Sequence, residues 1–371
     1  MTRVHILTPG FTSPNGSAFL FPLIVHRRAL SEAGISIGFF KSDADLEALA
    51  DCDVLAVDSK YYSPLWIPDT PSAVAALERL ASRARKLFYF DIKDSTGWDH
   101  ARALPLVTAY FKNQLLRDRS LYLQPHYGYR LYTDFYHRTA GVEDDDAEIS
   151  EPIANPALLD KLHLGWNSSL CDYSLQGPHR LALYRRFPLA ALLRFSGAMT
   201  PAAAPRPNDL SCRIATRYAR NTVAWQRQAM AKRLAERLTT ERVPRRAYLE
   251  EMRRAKVVPS PFGFGEICYR DYEAFQAGAL VLKPDMSHME TWPDLYRDGE
   301  TIVSHKWDFS DLEETIGALL ADDARRIEIA QQAQDNYRRH LTGDQAAQLF
   351  VEHVSAILKV GDLQPARQAA G

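Results

Sequence analysis

The constraint that most limits the fold is a strand–helix alternation that runs, stops and starts again. VHILTPG (4–10), ISIGFF (35–40), DVLAVDSKYY (53–62) and KLFYFDIKD (86–94) are short apolar runs of strand length. Helix-length segments separate them, among them FLFPLIVHRRALSEAG, closed by Gly34, and PSAVAALERLASRAR (71–85). Buried strands alternating with helices predict βαβ units and a parallel sheet with right-handed crossovers. The alternation breaks at SGAMTPAAAPRPND (196–209), where small residues and prolines can continue neither a helix nor a central strand.

Beyond that break the pattern resumes. LSCRIATRY (210–218) reads as a strand-like start and NTVAWQRQAMAKRLAERL (221–238) as a long helix. KVVPSPF (256–262), ALVLKP (279–284) and TIVSHKW (301–307) read as strands. RAYLEEMRRA (246–255), RDYEAFQAG (270–278), FSDLEETIGALLADD (309–323) and the region 324–359 read as helices. This predicts two Rossmann-like domains, at 1–198 and 210–345, joined by a flexible linker at 199–209. A C-terminal helix and frayed tail follow at 346–371. A chain of 371 residues, 46% of them hydrophobic, is long enough for more than one core.

Composition removes several function classes. The net charge of -1 gives no bulk attraction to nucleic acid. Cys52, Cys171, Cys212 and Cys268 are widely spaced, so neither a zinc site nor a disulfide framework is expected. No apolar run approaches the ~20 residues that span a bilayer, and MTRVHILTPGF lacks a signal-peptide layout. A cytoplasmic protein is expected, at most peripheral to a membrane. RFPLAALLRF (186–195) is the most membrane-compatible stretch, although its expected state is a buried helix. The first loop, TPGFTSPNGS, lacks the G-x-G-x-x-G fingerprint of a dinucleotide site. The acidic run GVEDDDAEISEP (141–152) reads as a surface loop without assigned function.

One cassette concentrates charge at the mouth of a strand: SPFGFGEICYRDYEAFQAGALVLKP, beginning at Ser260. Its glycines let backbone approach a ligand, and amides at a helix start can hold phosphate oxygens. The combination Arg270-x-x-Glu273, then Gly278-Ala279 and an apolar strand, resembles the donor-nucleotide segment of GT-B glycosyltransferases of the "glycosyl transferases group 1" set. It is most similar to the spore-maturation-like, capsule and lipopolysaccharide branches. The resemblance covers roughly residues 210–345 and implies two Rossmann-like domains facing a central cleft.

It also implies roles. Glu273 stands where the family's glutamate clamps the nucleotide ribose, and a carboxylate can accept from both hydroxyls. Glu266 is the nearest match to the glutamate that faces the donor sugar. The usual family spacing has seven intervening residues; here six separate the pair, and Gly265 holds the expected place. Either a bulge re-aims Glu266, or backbone groups at Gly263–Gly265 act instead. The diphosphate calls for cations, and Arg213, Arg217, Arg227 and Arg270 are the candidates. The basic runs RVPRR (242–246) and MRRAK (252–256) read as a solvated helical face, with anionic lipid as an alternative contact. In the loop after ALVLKP, His288, Glu290 and Trp292 are expected at the cleft. On the acceptor side, the Gly10–Gly16 loop is expected to reach the diphosphate or the acceptor. Asp91, Asp94 or His126 is expected as general base if the reaction inverts.

The implied function is sugar transfer from a nucleotide-sugar to a hydroxyl of a glycan or lipid-linked acceptor, in surface polysaccharide synthesis. No resident cofactor, metal or nucleic acid is expected. A nucleotide-sugar 2-epimerase and a non-catalytic nucleotide-sugar or glycan-binding partner protein remain alternatives.

Overall fold

The computed structural model describes residues 1–362 except 67, 98, 99, 147 and 238. The tail 363–371, expected to fray, lies outside the described residues. The N-terminal half holds strands β1 (Thr2–Leu7), β2 (Ile35–Phe40), β3 (Val54–Asp58), β4 (Leu87–Asp91), β5 (Ala109–Lys112), β6 (Gln114–Leu116) and β7 (Leu162–Leu164). Its helices are α1 (Pro14–Val25), α2 (Arg27–Glu32), α3 (Leu46–Ala50), α4 (Ser59–Trp66), α5 (Thr70–Ala81), α6 (Leu131–Ala140) and α7 (Gly177–Arg186). Six of the strands form a parallel sheet in the order β2-β1-β3-β4-β5-β7. The order reverses between β1 and β3, which opens a crevice at their carboxyl ends.

The C-terminal half carries β8 (Asn208–Leu210), β9 (Ala255–Pro259), β10 (Leu280–Pro284), β11 (Met289–Thr291) and β12 (Val303–His305). Its helices are α8 (Asn221–Arg233), α9 (Arg245–Arg253), α10 (Tyr269–Ala277), α11 (Leu312–Ala321), α12 (Asp323–Leu341) and α13 (Asp344–Leu358). Here a parallel sheet runs β12-β10-β9-β8 without a reversal. Val257, Val258 and Leu280–Leu282 are fully buried, as expected for strands covered by helices on both faces.

Several expectations are corrected. The strand expected at 210–218 is confined to Asn208–Leu210, because residues 213–218 leave the sheet to line a cleft. The third strand stops at Asp58, and Ser59 begins α4. The Pro-rich segment is packed rather than flexible. Thr200 N donates to Gln276 O (2.9 Å), Arg206 Nη2 to Ala277 O (2.6 Å), and Ala202 is fully buried. Gly278 makes this packing possible, with φ +65° and room for no more than hydrogen: a Cβ there would lie 2.4 Å from Thr200 O. RFPLAALLRF is not a buried helix. Beyond the end of α7 it forms one 3-10 turn, and Arg185–Ala191 is continuously exposed.

The two halves are tied together at several points. β6 and β11 pair antiparallel across the boundary (Leu115 opposite Glu290), forming a two-stranded ribbon. The acidic run 141–152 is structural. Asp144 accepts from Thr222 N (2.8 Å) at the start of α8, and Glu148 pairs with Arg220. A carboxylate at that position satisfies an orphan amide and complements the helix dipole. At the end of the chain α13 returns to the first half. His353 contacts Gly165 O (2.8 Å), and Lys86 donates to Leu358 O (2.9 Å).

Candidate functional site

Loops at the carboxyl ends of both sheets enclose a cleft of about 1140 Å³. From the first half come Ser13–Asn15 after β1, Lys60 after β3, Lys93 and Asp94 after β4, and Asn113 and Gln114 after β5. From the second come Arg213–Tyr218 after β8, Gly263–Gly265 after β9, and Arg242, Arg245, Tyr248, Arg270 and Glu273. Eight lysines and arginines line the cleft against three carboxylates, Asp94, Glu241 and Glu273. The excess of positive charge selects an anionic occupant despite the nearly neutral chain.

Glu273 lies on α10 with 7% of its surface exposed. Its Oε1 accepts from Arg245 Nη1 (2.7 Å) and its Oε2 from Tyr248 Oη (3.0 Å). A carboxylate has about four acceptor positions, so these two donors leave one on each oxygen unfilled. Burial raises the pKa of Glu273 above the ordinary glutamate value, with Arg245 and Tyr248 opposing the shift.

The cationic candidates divide. Arg213 pairs with Glu251 (2.8 Å) at the cleft wall. Arg227 is buried and spends its donors on Ala215 O (2.6 Å) and Phe262 O (2.8 Å), so it holds the wall rather than projecting from it. Arg270 Nη2 donates to Arg213 O (3.1 Å). The adjacent Asp271 is paired with Lys283 (2.9 Å) in a fully buried bridge beneath the loop. Arg217 is exposed at the cleft and forms no ion pair among the described residues.

Other expectations are corrected by position. Glu266 does not face the cleft. It is fully buried, and its carboxylate accepts from Thr96 N (3.0 Å) and Thr96 Oγ1 (2.6 Å) across the domain boundary. His288 Nε2 stands 3.7 Å from Glu266 Oε1. Burial disfavours the charged carboxylate, but His288 and the Thr96 donors outweigh it and hold its pKa below the usual value. The adjoining backbone is committed in the same way. Tyr132 Oη donates to Gly263 O (2.9 Å) and Arg130 Nε to Phe264 O (2.6 Å). Gly265 packs on Asp94 so closely that a Cβ would fall 1.6 Å from Asp94 O. The segment expected to face the sugar is therefore largely a clasp between the halves.

Asp91 is buried and bonded to Lys112 Nζ (2.6 Å) and Tyr110 Oη (3.0 Å), away from the cleft. Burial opposes its ionisation, yet Lys112 prevails and keeps it charged far below the ordinary range. A base so paired cannot reach an acceptor. His126 contacts Leu121 O (2.9 Å) and borders a separate small void. Asp94 is exposed at the cleft and accepts from Asn15 Nδ2. His288 packs edge-on to Trp307 (5.1 Å), Trp292 stacks on His353 (3.8 Å), and Glu290 pairs with Arg119; none lines the cleft. Gly10 and Gly16 shape the first loop, but Ser13, Pro14 and Asn15 reach the cleft.

Sequence reasoning missed Lys60, Arg242, Arg245 and Tyr248. Lys60 was legible: it follows the third strand at the reversal point, and extending that strand to Tyr62 hid it. Arg242 and Arg245 were read as a solvated face, although both line the cleft.

No curated protein matches the chain in sequence. Among solved structures, HepE from Anabaena, in complex with UDP-glucose, is 13% identical over 96% of this chain and 100% of that one (TM-score 0.44). Sucrose-phosphate synthase from Thermosynechococcus elongatus is 12% identical over 98% and 100% (TM-score 0.44). A DNA-modifying β-glucosyltransferase is 12% identical over 97% and 100% (TM-score 0.43). Residues 198–352, which hold the Glu273 wall of the cleft, match the family described as Glycosyl transferase-like.

Proposed function

We propose that the protein transfers a sugar from a nucleotide-sugar to a hydroxyl of a glycan or lipid-linked acceptor. The observation that carries the reading is the cleft itself. Cations from both sheets' carboxyl ends converge on one space, and Glu273 keeps acceptor positions at its wall. The family match over the C-terminal half supports it.

In this reading Glu273 accepts from the ribose hydroxyls, while Lys60, Arg217 and Arg242 face the diphosphate from opposite walls. Breaking the anomeric C–O bond transfers its electron pair to the diphosphate oxygen. The cations stabilise that growing charge more than they stabilise the bound donor. Asp94, at the first-half wall, takes the proton of the acceptor hydroxyl in an inverting reaction. Side chains supply the electrostatics, so the reading includes no metal. The setting proposed is surface polysaccharide synthesis, with the protein in the cytoplasm or at the inner face of a membrane. No helix among the described residues is long and apolar enough to cross one.

The test is calorimetric titration with UDP, GDP, ADP, TDP and CMP, with and without EDTA, followed by product analysis with the matching nucleotide-sugar. Saturable binding of one nucleotide that EDTA leaves intact, and loss of donor sugar only when acceptor is present, are the expected results. Conversion of donor alone would identify an epimerase. Binding without any turnover would identify a non-catalytic binder.

A further inference from the structure

The surface at α2 and at α7 with the segment that follows it exposes basic and apolar side chains together. No aspartate or glutamate occurs in residues 1–31 or 173–208, and the second stretch contains RLALYRRFPLAALLRF. Arg27, Arg28, Arg185, Arg186 and Arg194 are all exposed. Among them stand Leu183, Phe187 and Leu189, exposed by 46%, 51% and 64%. An exposed segment bearing three large apolar side chains is unusual on a monomer surface and marks an interaction site. The segment is anchored beneath: Leu193 is buried, Tyr184 packs on Phe11 (5.1 Å), and Arg185 donates to Ser17 Oγ (3.2 Å). Two neighbouring carboxylates are already taken, Asp172 by Arg180 and Glu32 by Arg28. No ion pair involves Arg27, Arg186 or Arg194 among the described residues.

We infer that this face docks on an anionic lipid bilayer, with Leu183, Phe187 and Leu189 entering the headgroup layer and the arginines meeting lipid phosphates. Apolar side chains flanked by basic ones suit such an interface, where area burial and attraction to anionic lipid act together. A symmetric contact between two copies is disfavoured, since it would oppose the same arginines to each other. The location has a consequence for access. Phe11, under Tyr184, lies two residues before Ser13, where the chain begins to line the cleft. A bilayer held here would border the cleft rim and present a lipid-linked hydroxyl to it. That consequence rests on the proposed transferase reading; the docking does not.

The test is co-sedimentation of the full chain with phosphatidylcholine vesicles, alone or with one third phosphatidylglycerol, at low and high salt. Selective, salt-sensitive binding to the anionic vesicles is expected. R186Q with R194Q should weaken it by about fivefold per arginine. F187S with L189S, at exposed positions that leave the core intact, should reduce it further. Nucleotide titration of the same variants should match the starting protein, which separates failure of docking from failure of the donor site. Equal binding to both vesicles, no binding to either, or undiminished binding by the four-site variant would overturn the inference. So would a dimer in light scattering that F187S with L189S dissolves, because the face would then be a self-contact.

Discussion

The carboxylate of Glu266, in the C-terminal half, accepts both the amide and the hydroxyl of Thr96 in the N-terminal half, at 3.0 and 2.6 Å. A residue whose family resemblance pointed to the sugar instead closes the domain boundary. Replacing Glu266 by alanine strands two buried donors and should destabilise the chain by about 1–3 kcal/mol. Thr96→Ala should cost less, and a double-mutant cycle in urea should show coupling between them. Additive effects in that cycle would remove Glu266 from the clasp.

Gly265→Ala should disturb the same boundary by steric means. Its Cβ would meet the Asp94 backbone oxygen at 1.6 Å, so the halves have to separate or shift. A lower melting temperature and a larger radius of gyration by small-angle scattering are expected. An unchanged scattering profile with unchanged stability would contradict the close packing.

Glu273→Ala should weaken nucleotide binding by roughly 1.5–3 kcal/mol while the fold persists. Tyr248→Phe removes one of its two protein donors and should have a smaller effect. Calorimetry on both variants separates a ribose acceptor from a residue that only orders α9 against α10, for which the nucleotide affinity would not move.

The two aspartates after the fourth strand should behave oppositely. Asp94→Asn should abolish turnover with nucleotide affinity retained. Asp91→Asn leaves Lys112 buried without its anion and should destabilise the protein by about 3–5 kcal/mol. Chemical denaturation beside single-turnover assays distinguishes them, and a stable Asp91→Asn protein would argue against the buried pair.

Stability should decline as pH falls below about 6.5. Burial lowers the pKa values of His26, His305 and His353 from 6.5 to about 4. Between those values the unfolded chain binds protons that the folded chain refuses, so stability rises with pH across that window and is lost on acidification. Glu266 adds a later loss. Its folded pKa lies below the ordinary 4.5, so its contribution is present above 4.5 and disappears as pH falls through the lower value. Asp58, whose pKa burial raises from 3.8 to about 6, and Glu273, also raised by burial, oppose part of this loss, but three histidines leave a net decline in urea midpoints from pH 7.5 to 4. Histidine resonances that titrate near 6.5 in the folded chain would contradict it.

By itself the sequence determined what depends on neighbours along the chain. Strand and helix alternation is a matter of local periodicity, so both parallel sheets were legible. Glu273, which lies at the cleft wall, could be singled out because the cassette around it is contiguous. Tertiary structure alone decided where long-range contacts send each side chain. Nothing near Glu266 announces Thr96, which lies 170 positions away, and nothing near Asp91 announces that Lys112 will bury it. RVPRR looked solvated because a basic helix face and a cleft wall have the same composition; the packing of α9 beside α10 turns Arg245 onto Glu273. RFPLAALLRF was read as buried because its apolar content is the same in a core or on a surface. Only the fold, which leaves Phe187 and Leu189 uncovered, separates the two.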